Sequence, residues 1–110
     1  MTRIALPNRR PCIGWRFSHG GVTYQGTASF TLTPEGKVSW IGEIFLSGGK
    51  VGSEVEAVTR DAAVIVSLAL QHGTPLETIR GSITRLDDGS AAGPIGCMLD
   101  EISKEINHDY

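Results

Sequence analysis

Residues 43–73 read EIFLSGGKVGSEVEAVTRDAAVIVSLALQHG, and the changes of character along this stretch set the architecture. Ile44 and Leu46 keep strand spacing up to Ser47-Gly48-Gly49-Lys50-Val51-Gly52, a glycine-rich break. Ser53 and Glu56 then form an S-x-x-E capping box that starts a helix, and Glu54 and Glu56 suit the positive end of its dipole. His72-Gly73 supplies a left-handed stop. Between these signals, residues 62–70 are apolar apart from Ser67. A helix this apolar is expected to be covered on several sides.

Upstream, Ile13, Trp15 and Phe17 alternate with Gly14, Arg16 and Ser18, the pattern of a half-buried strand. His19-Gly20-Gly21 suits a tight hairpin. Val22, Tyr24, Gly26, Ala28, Phe30 and Leu32 then alternate with a face rich in threonine and serine. Pro34-Glu35-Gly36 turns the chain into a third strand. There Val38, Trp40, Ile44 and Leu46 are expected on one face, with Ile41 and Phe45 on the other, so this strand is expected to be buried on both sides.

Downstream, Thr74-Pro75-Leu76-Glu77 reads as a second capping box with proline at the first helical position, opening a short helix that buries Leu76, Ile79 and Ile83. After a polar loop at 84–93, Ile95, Met98, Leu99, Ile102 and Ile106 fall at helical spacing. The expected fold is α+β: a three-stranded antiparallel meander followed by three helices packed on one sheet face. Residues 12–106 form the single domain, residues 1–11 an extended basic arm and residues 107–110 a tail. A sheet edge with apolar residues on both faces invites self-association, so a homodimer is expected.

The chain has 110 residues, 40% of them apolar, which suffices for one modest core. Its two cysteines, Cys12 and Cys97, lie far apart, which fits a reducing compartment better than a disulfide scaffold. There is no secretory leader pattern, and the apolar run is too short to span a bilayer, so a cytoplasmic location is expected. Residues 1–34 hold four arginines and no acid, whereas the remainder is acidic. Such an arm is suited to nucleic acid or to an acidic protein patch, with Arg9, Arg10 and Arg16 as the contact residues.

Gly48, Gly49, Lys50, Gly52 and Ser53 combine free amides, a cation and a helix N-terminus, the ingredients of an anion or nucleotide site. Lys50 precedes the last glycine, so this is no Walker A loop, and the same residues also read as a simple strand-to-helix turn. His19, His72 and His108 sit in a turn, at a helix end and in the tail. Cys12 with His19 has no second pair to complete a four-ligand zinc site. Neither cysteine has a base placed beside it by sequence, and no catalytic residue is assigned.

The segments Glu43-Ile44-Phe45, Gly49-Lys50, Gly52-Ser53, Ser67-Leu68-Ala69-Leu70-Gln71 and Gly73-Thr74-Pro75-Leu76-Glu77, in this order and spacing, resemble the TSCPD domain. That domain occurs near the C-terminus of adenosylcobalamin-dependent ribonucleotide reductases and in small stand-alone proteins. The resemblance spans about residues 22–106. The family's Thr-Ser-Cys-Pro-Asp is replaced here by Pro94-Ile95-Gly96-Cys97-Met98-Leu99-Asp100, with Asp100 and Ile102 keeping the pattern and Cys97 one place out of register.

The resemblance implies a small module of deoxyribonucleotide metabolism that binds a protein partner or a nucleotide, does not catalyse ribonucleotide reduction alone, and leaves adenosylcobalamin to the full enzyme. Two alternatives remain at this level. One is nucleic-acid binding through the arm, and the other is an accessory reductase component using Cys12 or Cys97.

Overall fold

The computed structural model describes residues 2–106; the expected tail, with His108, lies outside the described residues. Three strands, β1 (Cys12–His19), β2 (Val22–Leu32) and β3 (Val38–Gly48), precede three helices, α1 (Glu54–Gln71), α2 (Leu76–Ser82) and α3 (Pro94–Ile106). The strands form one antiparallel sheet in the order β1-β2-β3. Gly20 and Gly21 take φ of 60° and 79°, the positive values a two-residue hairpin demands.

The inner sheet face presents Tyr24, Ala28, Phe30, Ile41, Ile44 and Leu46 to Ala63, Val66 and Leu70 of α1 and to Met98, Leu99 and Ile102 of α3. The last three are fully buried, and each such side chain contributes about 1.5–3 kcal/mol. Leu76, Ile79 and Ile83 of the α2 region are only partly buried against this core.

Two register shifts in the β2–β3 ladder correct the expected faces of β3. Ser29 pairs with Glu43 but Phe30 with Ile41, and Thr31 pairs with Trp40 but Leu32 with Val38. Gly42 and Ser39 are therefore extra residues, and a bulge of this kind reverses the alternation. Ile41 turns into the core, whereas Trp40 turns to the outer face. Its ring there lies over Gly42 beside Leu6 of the arm, in the space where a Cβ on Gly42 would come within 2.6 Å of the ring. Leu32, expected inside, is 48% exposed at the strand's end.

α1 is less covered than its composition implies. Thr59, Ala63, Val66, Ser67, Leu70 and Gln71 are buried, but Val55, Val58, Val64, Ile65 and Leu68 are exposed, as is Phe45 on the outer face of β3. The expectation of cover on several sides fails within one chain because α1 lies along the margin of the sheet. It packs on β3 and leaves its far side to solvent.

The position of α1 explains Ser67. The Ile44 amide donates to Ser67 Oγ at 2.9 Å, and the hydroxyl lies 3.0 Å from the Ile44 carbonyl. Gln71 Nε2 donates to the Gly42 carbonyl at 2.8 Å. The outward groups of Ile44 and the outward carbonyl of Gly42, at the middle of β3, are thus met by two buried side chains of α1, which covers this edge. The arm completes the closure: Ile4 donates to the Gln71 carbonyl, Arg3 to the Gln71 side chain, and Arg10 to Glu43.

The second expected capping box does not form. Pro75 is the N-cap of α2 without a side-chain cap bond, because Glu77 turns instead to Ser103 and Arg80.

Candidate functional site

The expected loop residues come together at the start of α1. Gly49 and Gly52 take φ of 81° and 80°, conformations that other residues adopt only under strain. Ser53 Oγ accepts from the Glu56 amide at 3.2 Å, and Glu56 Oε1 accepts from the Gly52 amide at 3.4 Å. The carboxylate of Glu56 therefore occupies an amide that a bound anion would use. Lys50 stands exposed at the tip. Gly48 has a packing duty, since a Cβ there would meet the Tyr24 ring at 2.4 Å.

Beside this loop, a groove of about 340 Å³ runs between α1 and the start of α3, lined by Tyr24, Glu54, Val55, Val58, Ala62 and Ile95. Its walls are apolar with one carboxylate, Glu54. A second groove of about 410 Å³ lies at the other end of α1, where Ile4 of the arm, Trp40, Leu70, Pro75 and Ile106 meet. Cavities of this size take a drug-sized molecule or a peptide side chain.

The three arginines expected to act together do not share one environment. Arg9 and Arg16 are exposed, whereas Arg10 pairs with Glu43 at 2.8 Å.

Sequence reasoning missed the densest polar cluster in the molecule. Asp100 on α3 accepts from Arg85 Nη1 and Nη2 at 2.6 and 2.8 Å and from Arg80 Nε at 3.1 Å. Arg80 Nη1 also donates to Glu77 Oε2 at 2.6 Å and to Ser103 Oγ at 3.0 Å, and the Ser103 hydroxyl donates to Glu77 Oε1 at 2.9 Å. Two carboxylates and two guanidinium groups balance in charge and tie α2, the 84–93 loop and α3 together. The Arg85 guanidinium, above all, holds the Asp100 carboxyl below its usual range. The Ser103 hydroxyl, followed by Arg80, does the same for Glu77. The retention of Asp100 where the TSCPD motif is otherwise lost was the signal that marked it.

Cys97 is half-buried at the start of α3. Burial, then the charges of Glu101 and Asp100, push its thiol up, which disfavours the reactive thiolate. Cys12 is exposed. His19 Nε2 donates to the Ala92 carbonyl at 3.2 Å, and His72 Nδ1 donates to the Leu68 carbonyl at 2.8 Å. Among the described residues no group of three or more His, Cys, Asp or Glu is arranged to hold a metal ion. Among the described residues no helix is long and apolar enough to cross a membrane.

The TSCPD domain model matches residues 3–110. A vitamin B12-dependent ribonucleotide reductase of Streptomyces coelicolor is 34% identical over 84 residues, 76% of this chain and 8% of the reductase. The enzyme of the same name from Streptantibioticus cattleyicolor is 34% identical over 84 residues, 13% of its length. That of Agrobacterium fabrum is 38% identical over 76 residues, 6% of its length. This chain thus spans a small fraction of the curated relatives it matches. No solved structure matches it.

Proposed function

The chain belongs to the TSCPD domain family, and from that premise we propose that it is a non-catalytic module of deoxyribonucleotide metabolism, binding a reductase-type protein or a nucleotide. The observation that carries this reading is the similarity itself, over 84 residues, to a minor segment of vitamin B12-dependent ribonucleotide reductases. The module acts in the cytoplasm as a homodimer and leaves the cobalamin to the full enzyme. The exposed Phe45, Val58 and Ile65 support a working surface for protein rather than for solvent alone.

Calorimetric titration of the chain with a purified vitamin B12-dependent reductase, and separately with nucleoside diphosphates and triphosphates, tests the reading. Binding in either arm supports it. Silence in both, or binding to DNA alone with a steep salt dependence, overturns it. In the nucleotide arm, Lys50→Ala is expected to weaken affinity if the 48–53 loop is the site. The nucleic-acid alternative is left with Arg9 and Arg16, because Arg10 is engaged by Glu43.

A further inference from the structure

One margin of the sheet is left without the cover that α1 gives the other. His19 and Val22 close the two-residue hairpin, and beyond the strand the Pro11 carbonyl accepts from the Phe30 amide. In an antiparallel ladder hydrogen-bonded pairs alternate with non-bonded ones. The odd-numbered residues of β1 therefore face β2, and Cys12, Gly14, Arg16 and Ser18 turn their backbone amides and carbonyls outward. The same parity holds across the sheet, where Gly42 and Ile44 face outward and are met by Gln71 and Ser67. Among the described residues nothing pairs with the outward groups of β1.

We propose that this edge pairs with β1 of a second copy, antiparallel about a two-fold axis through Trp15, joining two three-stranded sheets into one. The inference rests on the homodimer reading above and names the surface. Self-complementarity chooses the occupant. With Trp15 opposite Trp15 of the second copy, Cys12 faces Ser18 and Gly14 faces Arg16, and every outward amide of these four residues meets a carbonyl across the axis, and every carbonyl an amide. On the inner face, Ile13 lies opposite Phe17 and the two Trp15 rings oppose each other at a non-bonded pair, where side chains approach most closely. These three apolar side chains are only half-buried in the single chain, and the pairing covers them.

Neighbouring registers are worse. Centring on Arg16 sets two guanidinium groups against each other, and centring on Gly14 shortens the ladder by two residues. On the outer face the chosen register sets Arg16 against a glycine, so no like charges meet.

Sedimentation at micromolar concentration tests the pairing. Arg16→Pro removes an outward amide and leaves the bonds to β2 in place; it is expected to give a folded monomer, with folding checked by circular dichroism. Gly14 has room for a side chain, a Cβ lying 3.5 Å from Gln25 Nε2. Facing Arg16 twice per dimer, Gly14→Glu is expected to tighten the dimer about fivefold and Gly14→Lys to loosen it about as much. In a Cys97→Ser background, oxidised Ser18→Cys is expected to give covalent dimers linking position 12 of one copy to position 18 of the other. A dimer that survives Arg16→Pro and ignores the charge at position 14 overturns the edge pairing. If such a dimer is lost with Ile65→Glu, the interface is on α1 and the homodimer reading stands. A wild-type chain that is monomeric throughout overturns both.

Discussion

The two edges of the sheet carry the same kind of unpaired backbone, and the chain treats them differently. On β3, Ser67 and Gln71 reach down from α1 to the Ile44 and Gly42 groups, and the arm straps across beside them. On β1 the outward groups of alternate residues meet nothing within the described chain. The difference lies in where the long helix was laid. A helix parallel to one margin can satisfy only that margin, and the remaining helices pack inward, α3 on β2 and α2 on α3, and not along β1. Closing one side fixes the fold, and the open side is where a partner strand can be received.

The largest expected effect comes from breaking the closed edge. Ser67→Ala removes the side chain that, among the described residues, serves the Ile44 amide, at a position where Ser67 and Ile44 are both buried. An orphaned buried backbone group costs about 1–3 kcal/mol, and two groups are affected here, so a loss of about 2–4 kcal/mol is expected in urea unfolding. The variant also frees a second strand edge and is expected to aggregate more readily than the parent. A loss under about 0.5 kcal/mol would show that the helix does not seal this margin.

The open side is held at one corner, where His19 meets the Ala92 carbonyl of the 84–93 loop. That loop is anchored through Arg85 to Asp100. Asp100→Asn leaves two arginines short of their common acceptor and is expected to cost about 2 kcal/mol, reduced from the fully buried case because the carboxylate is 23% exposed. The folded-state acidity works in the same direction. Asp100 and Glu77 are both held below their ordinary carboxylate range. The stability they supply is therefore complete above the unfolded values near 4 and is lost as pH falls through the folded ones. Unfolding midpoints of the parent are expected to drop steeply below about pH 4, and those of Asp100→Asn less steeply.

This asymmetry marks what the sequence could disclose. Strand alternation, the hairpin glycines and the Ser53 cap gave the element order, since each is a local rule obeyed by adjacent residues. Ser67 looked like an interruption of an apolar run, because a hydroxyl aimed at a strand 23 residues away leaves no local trace. Gly42 and Ser39 likewise gave no warning of the bulges that turn Trp40 outward and Ile41 inward; a single extra residue is invisible until two strands are paired. The 48–53 loop was legible as an assembly of glycines and a cap, but its Gly52 amide is directed to Glu56. The Asp100 cluster draws on three separate elements, so spacing alone could not bring its arginines together.

Gln71→Leu sharpens the comparison at a smaller scale. It keeps the helix and its volume while removing the bonds to the Gly42 carbonyl and from Arg3. Carbonyl groups tolerate loss of a partner better than amides, and the Gly42 bulge sits at an irregular point of the ladder. About 1–2 kcal/mol is expected by urea unfolding, less than for Ser67→Ala. An equal or larger cost would mean that the arm and Gln71, rather than Ser67, form the principal seal.

Arg10→Gln has the smallest expected effect and separates two meanings of the basic arm. Arg10 and Glu43 are partly exposed, at 29% and 21% of their side chains. An ion pair in that setting contributes about 0.2–1 kcal/mol and fades with salt. The arm has independent attachments, through Ile4 to Gln71 and through Leu6 packed near Gly42 and Trp40. Removing the guanidinium is therefore expected to leave the arm docked and to lower stability by about 0.5 kcal/mol at low salt, with no difference from the parent at 1 M salt. If the arm instead served nucleic acid, the same substitution would lower DNA affinity and flatten its salt dependence while leaving stability unchanged. Measuring unfolding and DNA binding on one variant decides whether this arginine belongs to the seal on β3 or to an external ligand.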